Sequence, residues 1–262
     1  KEKLFYKDMC LYGKDKLEKM AMTRQQNGIY DSALEHDACG IGAVVNIAGN
    51  RTHEPVDQAL RIVERLQHRS GKDADGTTGD VVGILLQISH EFFSRLPQAQ
   101  EHPLGEAQDY GIAMMFLPQE PLAASRSRKL FETIILKQGL RPLFWRTVPT
   151  CPEILGKRAR ASMPQIMQCF IRRPEGIERG FAFDRQLYLA RREYEHSVSD
   201  TYVCSMSCRS IVYKGLFLVD QLRAFFPDLQ SEDYCSALAL VHSRFSTNTT
   251  PSWKRAHPNR LL

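Results

Sequence analysis

Hydrophobic spacing divides the chain into short strands and a few helices. Residues 40–48 are an apolar run closed by Gly49-Asn50, which predicts a first strand. From His53 to Gln67 the period changes. Val56, Ala59, Leu60, Ile62, Val63 and Leu66 fall at helical spacing, and Pro55 sits where a first helical turn tolerates it. A glycine-rich, charged loop, Arg69-Ser-Gly-Lys-Asp-Ala-Asp-Gly-Thr-Thr-Gly-Asp80, leads into a second strand over 81–88. Further strands are predicted over 111–117, 142–148, 166–171, 201–207, 210–218 and 237–242, with helices over 122–138 and 183–194. Residues 150–164 read as an irregular, proline-bounded connection.

Strands come in pairs as well as alternating with helices, which predicts an α+β fold rather than a simple parallel sheet. The sequence has no internal repeat, no low-complexity tract and no linker long enough to separate domains, so one domain is expected. Residues 1–30 stand apart. They are polar and Lys-rich, with only weak helical spacing at Leu11, Leu17, Met20 and Met22, and read as a loosely held leader.

Composition narrows this picture modestly. At 43% hydrophobic and 25% charged, the 262 residues have ordinary globular usage. No apolar run approaches the roughly 18 residues of a membrane span, and no secretory signal is recognisable, so no membrane partner is expected. The net charge of +5 falls entirely after residue 38, because residues 1–38 hold seven charges of each sign. The basic stretches Lys157-Arg158-Ala-Arg160, Arg172-Arg173 and Arg191-Arg192 are short and lack interleaved aromatics, so nucleic acid is not expected as a partner. Seven cysteines, an odd number, point to free thiols in a reducing, cytoplasmic setting. Cys204, Met206 and Cys208 are spaced to share one buried strand face, and no metal site is expected.

Three segments carry possible chemistry. Cys39 follows Ala38 and precedes Gly40-Ile-Gly42 and the first strand. That arrangement suits a nucleophile exposed by cleavage before it, whose new α-amine, titrating near ~7.7–8.0, serves as the local base. On these residues alone a buried cysteine opening a strand is the more ordinary reading. The loop 69–80 has neither phosphate-loop spacing nor the ligand order of a calcium loop, and reads as a tight turn permitted by its glycines. Arg244 emerges just past a strand and is followed by Phe245, Ser246, Thr247, Asn248 and Thr249. A guanidinium fork there suits a carboxylate, and a surface loop accounts for the same residues.

Six segments together resemble the N-terminal glutamine amidotransferase (glutaminase) domain of the glutamate synthase large subunit. They are Leu34-Glu-His-Asp-Ala-Cys-Gly-Ile-Gly, Leu66-Gln-His-Arg-Ser-Gly, Asp75-Gly-Thr-Thr-Gly-Asp, Tyr202-Val-Cys-Ser-Met-Ser, Ile211-Val-Tyr-Lys-Gly and His242-Ser-Arg-Phe-Ser-Thr-Asn-Thr. The resemblance runs from Tyr30 to Leu262 and implies a four-layer αββα N-terminal-nucleophile sandwich of two antiparallel sheets. It divides the chain into a propeptide, 1–38, and the amidotransferase domain, 39–262. It makes Cys39 the nucleophile and Arg244 the holder of the glutamine α-carboxylate. Phe245, Ser246 and Thr247 would line the same pocket, and Arg69 would shape the surroundings of the thiol. Asp75, Gly76, Gly79 and Asp80 are given a structural role. No cofactor is expected in this chain, while FMN and an iron–sulfur cluster are implied for the full-length subunit. Glutamine, the remaining large-subunit domains and a small reductase subunit are the implied partners.

Three positions depart from the family pattern: Ser70 for a smaller residue, Val81 for a glycine, and Thr250. At Val81 a requirement for positive φ would strain a β-branched side chain. The resemblance also places a His-Asn-Gly-Glu stretch, with its oxyanion-hole donors, beyond Leu262. The segment alone is therefore expected to be inactive, and the alternative is a non-catalytic relative or unprocessed precursor acting by association.

Overall fold

The computed structural model describes residues 39–71, 76–244, 251–256 and 258. The expected leader, Asp75, Phe245, Ser246, Thr247 and Thr250 lie outside them.

Strand β1 (Gly40–Val45) is shorter than its apolar run, because the chain turns at Ile47 and Ala48 and closes with Gly49 at φ +75°, whose amide donates to the Asn46 carbonyl. Helix α1 (Glu54–Arg65) comes next, with Pro55 in its first turn. Glu54 and Asp57 stand at its positive end and Arg65 at its last turn, each placed to suit the helix dipole. The apolar stripe buries Val56, Ala59, Leu60 and Val63. The helix can lie close to β1 because β1 carries glycines. A Cβ on Gly42 would come 2.5 Å from Ile62, and one on Gly40 would come 2.8 Å from Leu66. A 3-10 turn, Leu66–Arg69, extends the helix toward the loop.

Next come β2 (Val81–Gln87), the short helices α2 (His90–Ser94) and α3 (Pro97–Glu101), β3 (Tyr110–Leu117) and the long helix α4 (Pro121–Lys137). Glu120 caps α4, its carboxylate accepting from the amides of Leu122 and Ala123 at 2.8 and 2.5 Å. Strand β4 (Arg141–Thr147), helix α5 (Lys157–Ala161) and β5 (Gln165–Arg172) precede helix α6 (Phe181–Ser197). The chain continues through β6 (Tyr202–Ser207), β7 (Ser210–Gly215), α7 (Gln221–Phe225) and β8 (Leu238–Arg244). The 150–164 connection thus contains a short helix that its hydrophobic spacing does not signal.

Two four-stranded sheets result, one ordered β1-β8-β2-β7 and the other β4-β5-β3-β6, with every neighbouring pair antiparallel. One face of the second sheet packs Ala113, Met115, Met167 and Ile171 against α4 and α6. Its other face, with Ile112, Met114, Phe116 and Phe170, joins a larger core that includes α1 and the Ile84, Leu86, Tyr213 and Val241 face of the first sheet. This is the α+β sandwich expected of an N-terminal-nucleophile domain.

One expectation about packing fails. Cys204 joins the larger core, whereas Met206 and Cys208 pack toward α6. A β-bulge is responsible: Met114 pairs with Ser205 and Met115 with Val203, which leaves Cys204 as the extra residue and reverses the alternation of the strand beyond it. All three remain buried. Burial pushes the Cys208 thiol up to about 12.

A polar network is sealed into the larger core. Arg146 on β4 donates two 2.7 Å hydrogen bonds to Asp228 and one of 2.8 Å to Gln168 on β5. Tyr213 on β7 donates its hydroxyl to Asp228 at 3.0 Å, and so joins the first sheet to the second. Burial alone would lower the Arg146 pKa, but the Asp228 carboxylate holds it above its ordinary value.

Candidate active site

The site forms where three strands of the first sheet end together. Gly40 pairs with Ser243 in the β1–β8 ladder, and one further step along the same register brings Cys39 level with Arg244. On the opposite side of β8, Arg244 pairs with Val81. Directly opposed residues of an antiparallel pair project to one face with Cβ atoms about 4.5–5.5 Å apart. Cys39 and Arg244 thus adjoin the last pair of the ladder, at the same end of β1 and β8. Cys39 is exposed and Arg244 half-buried. The reading of Cys39 as a buried strand-opening cysteine does not hold.

Backbone on both sides of this row is well fixed. The 3-10 turn that ends at Arg69 is carried to β1 by α1, with Leu66 against Gly40. Ser70 then donates its hydroxyl to the Gln67 carbonyl at 3.0 Å, so its departure from the family pattern adds a local turn bond. Further on, the Asp80 amide donates to the Gly71 carbonyl at 3.1 Å and closes the base of the 69–80 loop. Gly76 is left-handed at φ +65°. Gly79 tolerates no side chain at all, since a Cβ there would lie 1.7 Å from the Phe217 carbonyl oxygen. Asp80, 6% exposed, and Thr78 are buried beside it. Val81 opens β2 in the extended region, because the only described non-glycine residue with positive φ is Gln108. The strain anticipated at Val81 does not arise.

Phe245, Ser246 and Thr247 belong to the connection that leaves β8, and their placement is outside the described residues. The far end of that connection is anchored. Trp253 packs edge-on against Phe116 and Phe217 and donates its indole N–H to the Ala159 carbonyl at 3.2 Å. Lys214 on β7, buried at 1% exposure, donates to the Ala256 carbonyl at 2.7 Å and to the Tyr202 hydroxyl at 2.9 Å.

Sequence reasoning missed three polar residues here. His242 lies on the Cys39 face, opposite Ile41 and Gly83. Lys214 is paired with Gly83 in the same cross-strand row. Ser243 points to the other face, fully buried, with no hydrogen-bond partner for its hydroxyl among the described residues. The alternation of β8 is the signal for His242 and Ser243, since it puts residues 242 and 244 on one side and 243 on the other, whereas Lys214 lies on β7 and is located by its pairing with Gly83. Among the described residues no three His, Cys, Asp or Glu side chains converge to hold a metal. A cavity of about 630 Å³ beneath α6, lined by Leu85, Phe181, Tyr188, Met206 and Val212, lies toward the opposite end of the strands from Cys39. Its polar lining includes Asp184, Arg185, Ser205, Ser207, Arg209 and Ser210.

The two antiparallel four-stranded sheets, with the exposed Cys39 just before β1, are consistent with the fold of class-II glutamine amidotransferases. The chain belongs to the class-II glutamine amidotransferases, whose family model matches residues 39–262. It is similar to the large chain of the NADPH glutamate synthase of Bacillus subtilis (strain 168), at 41% identity over 239 residues, 90% of this chain and 16% of that protein. Ferredoxin-dependent glutamate synthase 2 of Synechocystis sp. is 40% identical over 229 residues, 87% of this chain and 15% of the relative. A chloroplastic/mitochondrial ferredoxin-dependent glutamate synthase of Arabidopsis thaliana is 35% identical over 255 residues, 95% of this chain and 16% of the relative. The chain thus spans about a sixth of the length of the curated relatives it matches.

Proposed function

We propose that this segment is the glutaminase part of a glutamate synthase, which releases ammonia from glutamine for glutamate formation from 2-oxoglutarate elsewhere in the subunit. The observation that supports the reading is the β1–β8 register, which ends at Gly40–Ser243 and so leaves the exposed Cys39 and Arg244 at adjoining strand ends. Removal of residues 1–38 leaves Cys39 at the head of the chain, and its α-amine takes the thiol proton. The thiolate attacks the side-chain carbonyl carbon of glutamine. The C–N bond breaks, the departing nitrogen leaves with that proton as ammonia, and a glutamyl thioester remains. Water then attacks the thioester carbonyl, its hydroxyl bonding to the acyl carbon as the C–S bond breaks and its other proton going to the departing thiolate, which releases glutamate and restores the thiol.

Arg244 holds the substrate α-carboxylate through its planar fork. Phe245, Ser246 and Thr247 complete the pocket wall, and the backbone at Arg69 supports β1 behind the thiol. FMN and an iron–sulfur cluster are proposed for other domains of the full-length subunit. Those domains and a small reductase subunit are the proposed protein partners. A reducing, cytoplasmic location fits six described cysteines that are all free.

The test uses the full-length subunit. Wild type should convert glutamine to glutamate and ammonia, and Cys39→Ala should lose this by at least about three orders of magnitude while keeping its fold. Glutamine hydrolysis that survives Cys39→Ala would falsify the assignment. The N-terminal residue of the active subunit should be Cys39, and full activity with residues 1–38 attached would remove the amine from the mechanism.

A further inference from the structure

Away from the Cys39 end, α6, β6 and β7 surround the cavity of about 630 Å³. Its floor is apolar and buried, formed by Leu85, Met206 and Val212. Its outer wall is α6, and there the burial pattern breaks. Phe181 and Tyr188 line the cavity two turns apart on one side of the helix, and are 77% and 47% exposed. Phe183 and Tyr194, on the same helix, are 0% exposed. An apolar recess with exposed aromatic rings and a charged rim marks an interaction surface.

The rim carries an excess of positive charge. Arg185, Arg191 and Arg209 line the cavity against one carboxylate, Asp184. That carboxylate is already engaged, accepting from the Ser207 hydroxyl at 3.0 Å, the Cys208 amide at 2.7 Å and Arg209 Nε at 2.5 Å. Arg209 also lies over the Phe181 ring, 4.0 Å from its centroid, and so holds the exposed ring in place. Arg185 is exposed and forms no ion pair among the described residues.

The recess suits side chains rather than a further strand. β7 is the edge of its sheet, but its Val212 amide donates to the Ser205 hydroxyl at 3.1 Å and is already used. An amphipathic helix laid in such a groove inserts its apolar residues and keeps its polar face at the rim.

We propose that this groove docks an amphipathic helix with acidic flanks, supplied by the polypeptide beyond residue 262, and so joins the segment to the rest of its subunit. The inference rests on the glutaminase reading. The matched region is only 16%, 15% and 16% of the three relatives, so most of such a subunit lies outside it. The outgoing chain also passes close by. The Ala256 carbonyl accepts from Lys214 Nζ at 2.7 Å, and Lys214 follows Val212 on the same face of β7, about 7 Å along the strand. Acidic flanks on the helix meet the arginine rim, which fixes its orientation.

The test is hydroxyl-radical footprinting of the full-length subunit, comparing residues of one type on one helix. With the groove filled, Phe181 should be labelled within about twofold of Phe183, and Tyr188 within about twofold of Tyr194, because the centre of a docked surface packs like a protein interior. Arg185→Glu should raise labelling of Phe181 and Tyr188 at least about threefold by repelling the acidic flanks, while Phe183 and Tyr194 stay protected. Fast labelling of Phe181 and Tyr188 in the wild type would show an open groove and overturn the inference. Protection lost on dilution would assign the groove to a second copy, and protection indifferent to Arg185→Glu would assign it to a segment without acidic flanks. Either result overturns the proposal. Cys39-dependent glutamine hydrolysis is measured on the same sample, and its absence overturns the glutaminase reading whatever the footprint shows.

Discussion

The two sheets have the same number of strands and the same antiparallel pairing, yet they are built for different ends. In the second sheet all eight residues of β3 are buried. Helices α4 and α6 cover one of its faces, and the larger core covers the other. In the first sheet β1 alternates, with Ile41 and Val45 exposed at 72% and 55%, and β8 alternates between buried and half-buried positions. The polar groups divide in the same way. Arg146 of the second sheet is 6% exposed and saturated by Asp228 and Gln168, whereas Arg244 ends a strand beside an exposed thiol. A fully covered sheet supplies rigidity. A sheet with one accessible face and aligned strand ends supplies a place for substrate. The Tyr213–Asp228 hydrogen bond joins the two, so the site stands on a sheet braced from below.

Breaking the brace should produce the largest effect. Arg146→Ala leaves the Asp228 carboxylate buried without its main partner, which costs about 3–5 kcal/mol. Urea unfolding of the subunit should show an early transition of this domain moving to lower denaturant. Replacing both partners, Arg146→Met with Asp228→Leu, should recover most of the loss, because two apolar groups leave no uncompensated charge. Cys39→Ala is the matched change in the first sheet. It removes an exposed thiol and should shift stability by no more than about 0.5 kcal/mol. If Arg146→Ala proves as mild as Cys39→Ala, the division of labour between the sheets is wrong.

A smaller effect should come from altering the guanidinium of the site. Arg244→Lys keeps the positive charge but replaces a planar two-pronged donor with a single ammonium. Loss of one charge-assisted hydrogen bond is worth about 1.5–3 kcal/mol, so kcat/KM for glutamine should fall roughly ten- to hundredfold. The loss should lie mainly in KM, with little change in unfolding. A fall in kcat alone would place Arg244 away from the α-carboxylate.

Much of this arrangement is legible in the sequence, and the exceptions have physical causes. Strand β2 is readable as an unbroken apolar run, and helices α1, α4 and α6 because each keeps a helical hydrophobic spacing over enough residues. Helices α2, α3, α5 and α7 are not, since five residues span little more than one turn and their formation depends on tertiary packing. The same-face reading of Cys204, Met206 and Cys208 fails because a bulge breaks the strand period, and no period analysis foresees a bulge. Cys39 and Arg244 can be picked out as chemistry by residue type and neighbours. Their adjacency depends on pairing between strands some 200 positions apart in sequence, and only the β1–β8 register supplies it. Val81 shows the converse. Its residue type raised a concern about strain, which its extended backbone removes.

The mildest prediction concerns Ser243, and it tests the comparison most finely. Ser243 is as buried as Arg146, but its hydroxyl has no partner among the described residues, whereas Arg146 donates to both Asp228 and Gln168. A buried hydroxyl left unsatisfied costs about 1–3 kcal/mol relative to a paired one. Ser243→Ala removes the unsatisfied atom along with little volume, between Gly40 and Val82 on the face away from the thiol. Unfolding stability should therefore stay constant or rise by up to about 1 kcal/mol. A gain would mean that the strand ending in Arg244 carries a stability cost that the second sheet does not, consistent with a sheet shaped by its site. A loss above about 1 kcal/mol would show that the hydroxyl is bonded in solution, and the polar interior of the first sheet would then be as fully satisfied as that of the second.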